Sequence, residues 1–137
     1  MTGAGSAFTL ICDGGSLGNP GKGYGSYQLA DPDGHHQIVR LDFGDGITSN
    51  QAEYRTLIAG IEDAARRAIE IGQQPTATAL VIRTDSKLLV EQVAGRWKVR
   101  HPALQPLNTR ARVLLQRFGR WEISWQPRAA TVRVLGH

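Results

Sequence analysis

Three carboxylates stand out among the 137 residues because of what precedes them. Asp13 closes the apolar run Phe8 to Asp13 (FTLICD), and Asp85 closes Ala77 to Asp85 (ATALVIRTD). Glu53 falls early in the periodic stretch Gln51 to Ile71. Where two such runs lie as neighbouring parallel strands, their carboxyl ends open on one crevice, the place where α/β sheets bind ligands. Glu53 lies only about 40° around a helix axis from Leu57, so it can face the sheet. Gly60, two turns along the same side, lets that helix approach closely. Converging carboxylates resist ionisation unless a cation sits among them. Three acids with no interleaved His or Cys favour hard ions, Mg²⁺ or Mn²⁺, whose shells water and phosphate oxygens usually complete.

Each acid also has a purely structural use. Asp13 before Gly14-Gly15 can initiate a turn. Asp85 before Ser86 can cap a helix. Glu53, three after Asn50, is close to a capping-box arrangement. Only the recurrence of Asp at two strand ends sets the metal reading ahead.

The stretch Gly14 to Gly25 (GGSLGNPGKGYG) is dense in glycine and reads as a turn-rich connection. It is not a P-loop, because Ser16 stands where the first glycine belongs and Gly23 follows Lys22. It leads into a strand pattern, which also excludes a dinucleotide fingerprint.

The elements that must position these residues follow from periodicity. Tyr24 to Ala30 and Gln37 to Phe43 alternate about the turn Asp31-Pro32-Asp33-Gly34 and read as a hairpin. In the long helix, Tyr54, Leu57, Ile58, Ile61, Ala65, Ala68 and Ile69 form the expected buried stripe. Ser49 and Asn50 start it, and Gly72 with Pro75 stops it. Ser86 to Val93 and Ala103 to Phe118 read as helices, the second with arginines outward, and Trp121 to Gln126 as a last strand. The expected order is β-β-β-α-β-α-α-β, in one domain spanning residues 1–137.

Charge is divided unequally. Residues 1–82 carry five basic and nine acidic side chains, net −4, whereas residues 83–137 carry eleven and three, net +8. Thirteen of the sixteen basic residues are Arg, which pairs with phosphate oxygens through two donors at once. The pattern suits a polyanion, or simply a basic surface. No apolar run approaches the roughly 20 residues of a membrane helix. Met1 to Leu10 lacks a basic cluster before an apolar stretch, and the lone Cys12 builds neither disulfide nor cysteine zinc site, so a cytoplasmic location is expected.

Four blocks together resemble a type 1 ribonuclease H of the bacterial and archaeal branch lacking the basic protrusion. They are Cys12 to Gly25, Thr48 to Glu62 (TSNQAEYRTLIAGIE), Arg83 to Glu91 (RTDSKLLVE) and Ile123 to Arg128 (ISWQPR). Gly95 to Leu107 resembles that branch too. The resemblance implies an α/β fold: a five-stranded mixed sheet, three strands antiparallel and two parallel, with helices on both faces. It implies metal-dependent hydrolysis of the RNA strand of RNA·DNA hybrids, leaving 5′-phosphate and 3′-hydroxyl ends. Asp13 would bridge two Mg²⁺ ions, for which Mn²⁺ can substitute, while Glu53 and Asp85 would hold the ion on the leaving-group side. Gly14, Gly15, Asn19, Asn50 and the Asp85-Ser86 turn match positions near the minor groove, where only RNA offers a 2′-hydroxyl. Thr48 and Ser49 match positions that contact DNA phosphate. Lys87 stands where many relatives have Gln. Trp97, Lys98, Arg100 and His101 fall where other members carry the protrusion, an arrangement that suits hybrid binding as well as a satellite core tryptophan with solvated neighbours. A monomer with no obligatory protein partner is expected.

The match fails at the end. Family members carry a fourth carboxylate in a segment like P-R-x-x-N-x-x-A-D that opens a final helix. Here Thr131 stands at the Asn and Leu135 at the Asp, with only Gly136-His137 beyond, so the helix is expected to be missing. Three accounts stay open: His137 serves as a ligand, although imidazole suits Mg²⁺ poorly; the ending is truncated or altered; or the domain binds hybrids or double-stranded RNA and scarcely cuts them.

Overall fold

The computed structural model describes residues 6–137; Met1 to Gly5, half of the segment read for a leader, lie outside the described residues. Strands β1 (Ala7–Leu17), β2 (Gly21–Ala30) and β3 (His36–Ile47) form an antiparallel meander. Strands β4 (Ala79–Thr84) and β5 (Arg120–Trp125) extend it in parallel with β1, giving the order β3-β2-β1-β4-β5. Parallel neighbours need crossovers. Helix α1 (Ser49–Glu70) makes the first, and α2 (Lys87–Val93) with α3 (Gln105–Leu115) makes the second. Helix α4 (Arg128–Leu135) follows β5. The mixed sheet is the one expected.

The first strand departs from expectation. It does not end at Asp13 but runs on to Leu17, and the supposed turn-rich connection is two strands joined by a tight turn at 18–20. Several glycines here serve close approach rather than turning. A Cβ on Gly14 would lie 2.5 Å from the Ala52 carbonyl oxygen of α1, and one on Gly60 would lie 2.6 Å from the Leu10 side chain. Glycine on both surfaces brings α1 down onto β1. Asp13 is therefore placed by its neighbour: the β1–β4 ladder stops at Ile11↔Arg83, so beyond that point the β4 side of β1 is open.

The start of α1 also differs. Thr48 is the N-cap, and with Gln51 it forms the full capping box. That satisfies first-turn donors without Asn50 or Glu53. Tyr54, Leu57, Ile61, Ala65 and Ala68 are buried as expected, joined by Ala64, while Ile58 is half-buried. Ile69 is 56% exposed, because it lies about 80° around the axis from Ile61. The α1 stripe packs with Phe8, Leu10, Cys12, Leu80 and Ile82 of the sheet and Leu114 and Leu115 of α3.

The expectation of a missing final helix is corrected. Eight residues suffice for two turns. Pro127 precedes the helix, and Gly136 ends it in the left-handed region (φ 84°), donating its N–H to Val132 O at 2.8 Å. Thr131 and Leu135, one turn apart, are buried, and Arg40 donates to the Leu135 carbonyl at 3.1 Å. This helix lies against β1 and β2. Its side of the sheet is that of Asp13, Ser26 and Arg40, which are cross-strand partners in register. Because side chains alternate along a strand, Leu10 and Cys12 face the opposite way, towards α1. Helices thus cover both faces.

Candidate active site

Asp13 comes from mid-β1, Asp85 from the residue after β4, and Glu53 from the first turns of α1. One ligand oxygen from each lies within 4.8 Å of the others. None of the three structural uses holds. Asp13 sits within a ladder, paired with Ser26. Ser86, not Asp85, caps α2, accepting from Leu89 N–H at 3.2 Å. Glu53 is outside the capping box, and its Oε1 accepts from Gly14 N–H at 2.9 Å.

The electrostatics follow from this crowding. Burial pushes the Glu53 carboxyl up to about 8, and the charges of Asp13 and Asp85 push the same way against the Gly14 hydrogen bond. Burial also raises Asp13, while the Arg128 guanidinium opposes the rise. The Cys12 thiol beneath is pushed well above its usual range, by burial first and the three acids next. Arg128 Nη1 lies 2.9 Å from Asp13 Oδ2 and 3.0 Å from Asp85 Oδ2. The His137 ring sits at the same place, Nδ1 3.1 Å from Asp13 Oδ2, with the Ser26 hydroxyl hydrogen-bonded at Nε2 and Tyr24 edge-on at 6.0 Å. An all-oxygen cluster of three crowded carboxylates, in which burial raises Glu53 and Asp13, is a fitting cradle for a hard divalent cation.

The family model described as reverse transcriptase-like matches residues 12–134. A bifunctional protein of Mycobacterium tuberculosis is 44% identical over 124 residues, 88% of this chain and 31% of the relative. Its N-terminal RNase H domain, solved as a fusion with maltose-binding protein, superposes with a TM-score of 0.79 at 35% identity, covering 96% of this chain and 91% of that one. Ribonuclease HI of Halobacterium salinarum is 37% identical over 124 residues, 88% of this chain and 57% of the relative. The chain belongs to the type 1 ribonuclease H family. It spans under two thirds of these curated relatives. A ribonuclease H isolated from compost, solved in complex with an RNA/DNA hybrid, superposes with a TM-score of 0.79 at 26% identity, covering 92% of this chain and 89% of that one.

The other residues singled out in this ribonuclease H sequence lie on the β1–β2 hairpin, at the starts of α1 and α2, and in the segment after α2. Gly14 has its N–H committed to Glu53, and Gly15 lies under the Tyr24 hydroxyl. Asn19 Oδ1 accepts from Ser49 N–H at 3.1 Å, which ties the hairpin tip to the start of α1. Asn19, Thr48 and Asn50 line a cavity of about 170 Å³ with His101. Asn50 and His101 also line a second cavity, of about 550 Å³, with Trp97, Lys98, Arg100 and Arg96. Trp97 is 46% exposed there and is not a satellite core residue. Ser86 is a helix cap, and Lys87 pairs with Glu91 at 3.3 Å along α2. Leu135 is 1% exposed, and α4 carries no acid.

Sequence reasoning missed Arg128 as a site residue, although it lies in the ISWQPR block. Its place in that block, just after the last expected strand, was the only available signal. Ser26 and Tyr24 were missed because only strand register puts them opposite Asp13 and Gly15.

Proposed function

We propose that this chain is a metal-dependent endoribonuclease that hydrolyses the RNA strand of RNA·DNA hybrids, leaving 5′-phosphate and 3′-hydroxyl ends. The observation that carries the reading is the meeting of Asp13, Glu53 and Asp85 within 4.8 Å. Those three residues would hold the ions, with Asp13 shared between two. Two Mg²⁺ or Mn²⁺ ions, when bound, supply water activation and charge stabilisation for in-line displacement at phosphorus. The chain's own residues do the rest. Gly14 N–H aims the Glu53 carboxylate, and the buried strand fixes Asp13. The groove holding Trp97, Lys98 and Arg100 takes the nucleic-acid backbone, with Thr48, Ser49, Asn19 and Asn50 at its near end. Ser86, Gly15 and Lys87 flank the RNA side. His137 is a further candidate ligand, supported by its ring resting on Asp13.

A second reading, a hybrid or double-stranded RNA binding domain with little turnover, is favoured by one observation. Buried Leu135 stands where the resemblance places the fourth carboxylate. We read residues 1–137 as one ribonuclease H-like unit, monomeric and cytoplasmic. Support comes from a continuous five-stranded sheet, a buried, unpaired Cys12 and the lack, among the described residues, of a helix long and apolar enough to cross a membrane.

The test uses end-labelled RNA·DNA hybrid, duplex RNA and duplex DNA with Mg²⁺, Mn²⁺ or EDTA, alongside Asp13→Asn. Cutting of the hybrid alone, abolished by EDTA and by Asp13→Asn, is the expected result. Salt-sensitive binding without cutting supports the second reading.

A further inference from the structure

Arg128 reaches the carboxylates from the first residue of α4. A single nitrogen, Nη1, contacts both Asp13 Oδ2 and Asp85 Oδ2. The arginine side chain is 54% exposed, so it can leave without opening the core, whereas both acids are largely buried. A divalent ion shared by Asp13 and Asp85 would compete for the gap and the oxygens that Nη1 occupies.

We propose that Arg128 is the resident counter-cation of this site: it pairs Asp13 with Asp85 until a divalent ion displaces it, and so sets the metal concentration at which the site fills. The proposal rests on the metal-binding reading above. Such an arginine can act in two opposite ways. It could preorganise the acids, in which case losing it weakens metal binding, or occupy their site, in which case losing it strengthens binding. The anchors decide. Asp13 is held by a buried strand, and Glu53 by Gly14 N–H. The Asp85 backbone carbonyl accepts from Trp125 Nε1 at 3.2 Å. The backbones of Asp13 and Asp85 and the carboxylate of Glu53 are thus held independently of Arg128, so occupancy dominates. Without the guanidinium, more of their mutual repulsion is left for the incoming ion to relieve. Since one nitrogen makes both contacts, an ammonium can replace the guanidinium, whereas a neutral amide cannot.

The test is Mn²⁺ binding to the full chain by isothermal titration calorimetry, without substrate. Arg128→Gln should bind Mn²⁺ roughly tenfold more tightly than the unaltered chain, equivalent to about 1.4 kcal/mol. Arg128→Lys should bind as the unaltered chain does. Methylguanidinium added to Arg128→Ala should weaken the ion's binding again, a comparison within one protein sample. Unchanged or weaker Mn²⁺ affinity in Arg128→Gln, while Asp13→Asn still abolishes binding, overturns this proposal and leaves the metal reading standing. No saturable binding by any variant removes both.

Discussion

Gly14 N–H donates to Glu53 Oε1 at 2.9 Å across 39 positions of sequence. The contact exists because α1 touches β1 at this glycine, where a methyl group would fall 2.5 Å from Ala52 O and 2.8 Å from Glu53 N. Gly14→Ala should therefore push α1 off the sheet and misaim Glu53. A stability loss of about 1–3 kcal/mol is expected from such overpacking, with hybrid cleavage falling far more than substrate affinity. Thermal melts and cleavage assays on one preparation check both.

Glu53 makes the metal-free protein sensitive to alkali. Its folded carboxyl is raised to about 8, above the roughly 4.3 of an unfolded chain. Between those values the folded state binds the extra proton, so stability is lost as pH rises through the window, by up to about 1.4 kcal/mol per pH unit. Urea unfolding in EDTA from pH 4.5 to 8.5 should show that decline. Glu53→Gln should flatten it and be the more stable protein at pH 8. Metal binding near pH 7 should release a proton, measurable by titration in buffers of different ionisation enthalpy.

The groove around Trp97 should govern binding rather than chemistry. Trp97→Ala is expected to cost about 1–3 kcal/mol of hybrid affinity through lost aromatic contact. Arg100→Ala should lower the dependence of log K on log salt by about 1, the signature of one phosphate contact. Anisotropy of a labelled hybrid in an Asp13→Asn background, read at several salt concentrations, separates the two.

Beneath that groove lies a polar network with a structural task. The Tyr54 hydroxyl donates to Gln92 Oε1 at 2.8 Å and accepts from Asn108 Nδ2 at 3.0 Å, joining α1, α2 and α3. Tyr54→Phe leaves a buried Gln92 acceptor short of a partner, which should cost about 1–3 kcal/mol. The denaturation midpoint should shift while Mn²⁺ affinity stays unchanged, because the network touches none of the three acids.

Leu135→Ala should cost about 2–5 kcal/mol, the usual penalty for emptying a buried leucine site. A shift near zero in the unfolding midpoint would mean that α4 is not packed against β1 and β2.

Much of this was legible in the linear chain. Periodicity located the long helix, and apolar runs located β4 and the first half of β1, because burial demands one repeat on a helix and another in a strand. The three acids were legible because each follows or faces such an element. What the chain concealed depends on register and on contact between distant segments. Glycines that admit a neighbouring helix look, in sequence, like glycines that make turns; only the position of Ala52 above Gly14 tells them apart. The short α4 was hidden because its stability comes from burying Thr131 and Leu135 against the sheet rather than from length or propensity. Arg128 looked like one of many arginines. Its contact with Asp13 and Asp85 depends on three segments meeting where β4 ends, a relation that no local pattern encodes.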